Sequence, residues 1–382
     1  MTLVLYFIVL LNNWYFAIKQ RSNQIWTVLT VAFFFIVISG AGPFYSFAAD
    51  YDNYYRNYYT VIERGILHNN QIGYSFIMIV GNTLGIPFEL FRLSVIAGCL
   101  WLLYRYVLKR YEINTNYVLS LYMMYAIIID SEQFRTWIAL TVLLCGIRFL
   151  ETTKVTDRLK FLAFWLISIS FHYSFVFYAP LLLVNGNNRN KWIKRLVITA
   201  LAISLIIILN GNEIPFQSFI IENTNNRVIE NYLTTQTNFG FLIPAITHGS
   251  SVVLAYWSRR VIHNKYFDID LDLLPNHPNY LESKKIKREL TISNVIFWTN
   301  ISMLMVFPLY LVNVQFYRLM RSLLLLTYII CAKASSHIIR RVPNLLFNTV
   351  VISSVVVWLF LDLIHRIAPA RLLIPFFLEN LL

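Results

Sequence analysis

Long apolar runs, separated by short charged clusters, return along the whole chain. In hydrocarbon every backbone amide must find its partner inside the protein, so runs of this kind are α-helices or the strands of a closed barrel. These runs are continuous and do not alternate with period two, which excludes the barrel. Of the 382 residues, 58% are hydrophobic and 13% charged, whereas a soluble domain carries roughly a quarter charged residues. The expected fold class is an all-α polytopic integral membrane protein, one membrane domain over residues 1–382, with about eleven to thirteen transmembrane or re-entrant helices.

The basic residues set an expected topology. They cluster at Lys19/Arg21, Arg105/Lys109/Arg110, Lys154/Arg158/Lys160, Arg189 to Arg195, Arg259 to Arg288 and Arg340/Arg341. Cytoplasmic loops collect Lys and Arg, which accounts for the net charge of +13 without a nucleic-acid partner. The start "MTLVLYFIVLLNNWYF" has no basic leader and no small-residue cleavage site, and is expected to be a first helix, with the N-terminus outside. Crossings are expected near 25–47, 88–108, 116–129, 134–150, 196–209, 241–257, 292–312, 319–334 and 345–362. Residues 74–87, interrupted by Gly81, Gly85 and Pro87, are expected to be re-entrant. Residues 160–184 have basic flanks on both sides, which asks for a hairpin turning near His172. Segments 48–73, 130–135, 210–240 and 313–321 then face outward, and 258–291 is the longest cytoplasmic loop, too short for a catalytic domain. Cys99, Cys145 and Cys331 are isolated in apolar runs, so neither a disulfide nor a metal site is implied. "DIDLD" at 268–272 has no room for the sheet a metal–nucleotide motif needs.

Several outward positions carry chemistry. "DYDNYYRNYY" (50–59) sets Tyr51, Tyr54, Tyr55, Tyr58 and Tyr59 on one helical face, with Asp52 and Arg56 four apart on the other. That is the pattern of a helix lying in the interface, and it also puts Asp50 or Asp52 within reach of a substrate cavity. In "SEQFRTWIAL", Arg135 begins a membrane helix where free N–H groups already favour an anion. In "QFYRLMR", Arg318 and Arg321 lie three apart, on one face of a helix top. Guanidinium groups grip phosphate oxygens in pairs, so these three arginines make a candidate diphosphate clamp. His172, in "SFHYSF", is an ionisable group within an apolar run and a candidate proton acceptor. His248 is expected to serve helix packing.

Taken in order, "DYDNYYRNY", "GYSFIMIVGNTLGI", "QFRTWIAL", "FHYSF" and "FYRLMRSLLLLTYII" resemble the EpsG branch of the Wzy-like polysaccharide polymerases, over residues 25–335. Arg135 matches the Arg of the family's Arg-Gln-x-x-Ala segment, with Thr136 in place of Gln and Ala139 kept. His172 and Ser174 match Phe-His-x-Ser, Arg318 the late Arg with Arg321 beside it, and Asp52 the early acid. Before Gly73-Tyr74 the family usually has Glu; this chain has Gln71, which weakens a general-base role at that position. The resemblance implies a GT-C-like membrane glycosyltransferase in the bacterial cytoplasmic membrane, its active site outward. It would join undecaprenyl-diphosphate-linked oligosaccharide repeats into capsule or exopolysaccharide, with no cofactor and no metal.

On that reading Arg135 and Arg318 hold the lipid diphosphate, and Arg321, Asp50, Arg56, Gln71 and Tyr74 contribute to substrate binding. His172 or Asp52 accepts the proton of the attacking hydroxyl. Partners would be the lipid-linked repeats, membrane lipids, and the flippase and chain-length regulator of the same pathway. Three other classes compete: a ligase using the same donor, a flippase or transporter of anionic lipid, and a membrane O-acyltransferase built on His172. A transporter should show ionisable groups at the midplane and repeat symmetry, and the sequence has no internal repeat.

Overall fold

The computed structural model describes residues 1–20, 22–41, 49–65, 71–111, 113–184, 186, 188–215, 217, 240–266, 280–367, 372–378 and 380. Among these every regular element is a helix. In chain order the α-helices are α1 (Thr2–Ile18), α2 (Gln24–Ala41), α3 (Ala49–Arg64), α4 (Ile72–Thr83), α5 (Phe88–Leu102), α6 (Thr115–Met124), α7 (Ile127–Glu132), α8 (Phe134–Ile147) and α9 (Val155–Phe171). There follow α10 (Arg189–Leu209), α11 (Leu242–Lys265), α12 (Tyr280–Ser302), α13 (Phe307–Val312), α14 (Tyr317–Arg321), α15 (Leu324–His337), α16 (Arg341–Leu359) and α17 (Leu373–Leu378).

By length and composition, four stretches among the described residues can cross a bilayer unaided: Phe88–Tyr111, Arg189–Leu209, Ser283–Val312 and Arg341–Arg366. Val314–Arg321 and Leu324–His337, bent by 42° at their break, are apolar and long enough only when taken together, as a broken span or a re-entrant loop. The other apolar helices are shorter, because several expected crossings are interrupted. The expected helix 116–129 breaks between α6 and α7. There Ala126 takes φ 69° and ψ −52°, and the Ile127 N–H bonds the Tyr125 carbonyl at 2.9 Å. This is a γ-turn, a strained conformation for a residue with a side chain.

The expected crossing 319–334 begins as a helix only at Leu324, after the separate α14. The hairpin expected near His172 takes the form of a change of helix: α9 stops at Phe171, and a 3-10 helix, Tyr173–Leu183, follows. The expected loop 258–291 is helical up to Lys265 and again from Tyr280. "DIDLD" and residues 218–239 of the expected outward segment 210–240 lie outside the described residues.

The chain clusters into two compact units. The first comprises Met1–Phe149, Val155–Val176 and Tyr328–Leu382; the second comprises Leu150–Lys154 and Phe177–Thr327.

In the first unit α3 spans two helix starts. Tyr51, Tyr55 and Tyr58 contact Phe88 at the head of α5, and Tyr54 contacts Phe134 at the head of α8. At the far ends Cys145 of α8 approaches the Leu102 carbonyl of α5 at 4.0 Å, and Arg148 lies over the Tyr106 ring. The two helices therefore run in the same direction. α4 ends in a Gly-capped turn: Gly85 at φ 68° lets Ile86 N–H reach the Gly81 carbonyl and Gly85 N–H reach the Asn82 carbonyl, and four residues link α4 to α5. α9 returns along α8 so closely that a Cβ at Gly146 would fall 2.6 Å from that of Phe164. Buried amides tie α1, α2 and α6: Asn13 donates to Thr30, and Asn116 donates to the Asn13 side-chain oxygen. Polar side chains commonly join helices where no hydrophobic force distinguishes protein from lipid.

The second unit is built from α10 to α14. Its core includes Ile207, Leu311 and Val312. A buried polar network fills its middle. His248 binds the Asn300 carbonyl through Nε2 and the Tyr310 hydroxyl through Nδ1, while Ser251 donates to Asn300 and meets Thr327. With both ring nitrogens engaged between α11, α12 and α13, His248 packs helices as expected.

Candidate functional site

In the first unit three helices bring polar groups to one place. Gln71 caps the start of α4, and Arg135 sits in the first turn of α8. The Arg135 guanidinium donates to Gln71 Oε1 at 3.0 Å. It also lies 5.2 Å from the ring centre of Tyr54 on α3 and 5.9 Å from that of Tyr74 on α4. Tyr54, Tyr74 and Phe134 pack edge to face against one another, with centroids 6.0 to 6.2 Å apart. A rigid aromatic wall thus orients the guanidinium and strengthens its hold through cation–π attraction.

Tyr74 is 1% exposed, and its hydroxyl has no hydrogen-bond partner among the described residues. A buried hydroxyl left without a partner is costly. This one lies beside a guanidinium and a helix start whose first N–H groups have no intrahelical acceptor. The cluster is therefore equipped to bind the oxygens of an anion.

His172 adjoins the same place. An added Cβ at Gly73 would lie 2.3 Å from Ser170 Oγ, so the α4 start, two residues from Gln71, touches α9 two residues from His172. His172 is 7% exposed. Its Nδ1 faces the Ser174 hydroxyl at 2.7 Å and the Ser174 backbone N–H at 3.3 Å.

The acids are arranged differently. Asp52 is half-buried on α3, one turn or less from Tyr54, and Arg56 is exposed; among the described residues the two make no ion pair with each other. Asp50 lies on α3, where only its backbone is described. Asp130 is buried on α7 and accepts from the Tyr122 hydroxyl at 2.9 Å.

In the second unit Asn313 caps a 3-10 turn, Val314–Phe316, that leads into α14. Partly exposed Arg318 donates to the backbone and side-chain oxygens of Gln315, at 3.1 and 3.3 Å. Arg321 is 2% exposed. The two arginines lie three apart on the five-residue α14 and differ in exposure, Arg321 buried and Arg318 more open.

Two charged groups were missed. Arg92 in α5, 6% exposed, donates to the Ile38 and Ser39 carbonyls and pairs with Glu89. Asp362, fully buried, pairs with Arg366 and accepts from the Tyr125 hydroxyl at 2.5 Å. The sequence marks both as opposite charges three or four residues apart within apolar runs.

The family model named EpsG family matches residues 25–378. No curated protein and no solved structure matches the chain.

Proposed function

The chain belongs to the EpsG family, and from that premise we propose that this multi-pass membrane protein is a polysaccharide polymerase whose donor is a lipid-diphosphate-linked oligosaccharide. Arg135, the Tyr74 hydroxyl and the start of α8 hold the diphosphate oxygens. Arg318, with Arg321 beside it, is the second candidate for contact with the phosphates. The non-reducing hydroxyl of one lipid-linked repeat attacks the anomeric carbon of the growing chain on another. The carbon–phosphate-oxygen bond breaks, and the lipid diphosphate leaves with the electron pair. The leaving group carries its own activation, so the protein's task is to position the two saccharides and stabilise the charge that develops. The site faces the extracytoplasmic side, and undecaprenyl diphosphate is the lipid carrier.

The observation that carries this reading is the pairing of a buried, unpartnered Tyr74 hydroxyl with a guanidinium held by an amide. Gln71 is neutral, so it orients Arg135 without cancelling its charge, as a carboxylate there would.

The test is deletion in the host, complementation with wild type or Arg135→Ala, and profiling of lipid-linked glycans. The expected result is single repeats accumulating on the carrier in the deletion and in the Arg135→Ala strain. Full-length polymer made by Arg135→Ala or Arg318→Ala would remove that residue from the site. Repeats retained on the inner leaflet would indicate a flippase.

A further inference from the structure

We infer that His172 serves the reaction as a hydrogen-bond donor through Nε2–H, and not as the acceptor of the hydroxyl proton. The inference rests on the polymerase reading above and assigns a role within that site.

His172 stands where α9 ends and the 3-10 helix begins, the position of a helix cap. The N–H of Ser174, two residues on, points at Nδ1 from 3.3 Å. A backbone N–H can only donate, so Nδ1 must present its lone pair. The Ser174 hydroxyl, 2.7 Å from the same nitrogen, can donate or accept and adapts to that choice. A neutral imidazole has one donor and one acceptor nitrogen, so the proton resides on Nε2.

The ring is held in this pose. It stacks on Tyr173 at 5.5 Å and meets Phe175 edge-on at 6.2 Å. The Phe175 carbonyl is in turn fixed by the Trp165 indole at 2.8 Å. For Nε2 to take a proton from a substrate, the resting ring would have to carry its proton on Nδ1. That proton would then face the Ser174 N–H, donor against donor, and the cap would be lost.

The contact between Gly73 and Ser170 places His172 beside the cluster that contains Arg135 and Tyr74. There the Nε2–H donates to a phosphate oxygen as negative charge builds on the departing diphosphate. No proton leaves His172. The bond between the acceptor oxygen and the anomeric carbon forms, the bond from that carbon to the phosphate oxygen breaks, and the hydroxyl proton passes to a carboxylate. Asp52 is the candidate for that carboxylate.

Two measurements on the full-length protein test this. The first is nitrogen NMR of membranes containing uniformly 15N-histidine-labelled protein at neutral pH. The His172 signals are identified by their loss in His172→Asn, a substitution that keeps a side chain able to cap. The expected spectrum has a protonated Nε2 and an unprotonated Nδ1; the reverse assignment overturns the inference whatever the protein's activity. The second is polymer formation by His172→Gln and His172→Glu at matched membrane abundance. The Gln amide can donate from near the Nε2 position, whereas Glu supplies a base and no donor. His172→Gln should retain activity within about tenfold of wild type. His172→Glu should lose about 100-fold or more, the usual loss for one donor to a developing oxyanion. Equal activity of the two, or greater activity of His172→Glu, overturns the donor role. If deletion of the whole protein left the polymer intact, the polymerase reading would fall and the catalytic assignment with it, while the NMR result would still report the tautomer.

Discussion

Replacing Gly73 by Ala tests the close contact between the start of α4, in the arginine cluster, and the end of α9, next to the histidine turn. The new Cβ would sit 2.3 Å from Ser170 Oγ and 3.1 Å from both the Ser170 Cβ and its carbonyl carbon. Ordinary contact begins near 3.4 Å, so relief through the hydroxyl alone needs a displacement of about 1 Å. Rotating the hydroxyl away is opposed by its bond to the Ile167 carbonyl at 2.7 Å, and it leaves both carbons too close. The start of α4 must therefore move away from α9, at a cost of about 1–3 kcal/mol for an overpacked site. Gln71 moves with it, and the Arg135 bond lengthens.

The assay is thermal unfolding in detergent together with polymer yield in cells, for Gly73→Ala, Ser170→Gly and the double variant. Ser170→Gly removes the Oγ and Cβ clashes but leaves the carbonyl carbon at 3.1 Å, so the double variant should recover most of the lost stability and not all of it. A coupling energy of about 1 kcal/mol or more is expected. The reasoning is refuted if Gly73→Ala unfolds at the wild-type temperature with full polymer yield, or if Ser170→Gly rescues nothing.

Three further outcomes are expected. Arg135→Lys keeps the charge but loses the fork and the flat face against Tyr54, so polymer yield should fall towards that of Arg135→Ala; a wild-type yield would show that charge alone suffices. Ala126→Gly should raise the unfolding temperature, because removing a Cβ at positive φ relieves about 1–2 kcal/mol, of which glycine's added chain entropy takes back about 0.5–1 kcal/mol. Asp362→Asn leaves Arg366 without its charge partner and weakens the Tyr125 bond, costing about 1–3 kcal/mol in the same unfolding assay; Tyr125→Phe should cost less.

The helical class and most helix positions could be read from the sequence, because hydropathy and the cost of an unsatisfied amide in lipid leave few alternatives. What escaped were the interruptions. Nothing in "MMYAIIID" marks Ala126 as a residue at positive φ, since that turn is imposed by packing and not by local propensity. The length of α14 escaped for the same reason, and with it the burial of Arg321 next to the more open Arg318. The site was legible as residue types: Arg135, Gln71, Tyr74 and His172 had all been singled out. Their relation was not. The departure from the family at Gln71, read from sequence as a weakness, is in the fold the hydrogen-bond partner of Arg135. The protonation pattern of His172 depends on a backbone N–H two residues on, which no residue type announces.

Because α5 and α8 run in the same direction, both present their starts at the end covered by α3. Each start carries about half a positive charge. The two starts give a local positive potential that belongs to the backbone and survives the loss of any one side chain, while the C-terminal ends of α4 and α9, which also reach α3 and the start of α4, oppose it. Loss of Arg135 should lower capture of an anionic headgroup in a graded way, and the remainder should fade as ionic strength rises. The arrival of substrate is thus partly written into the direction in which the chain is threaded, a property that side-chain mutagenesis alone does not reach.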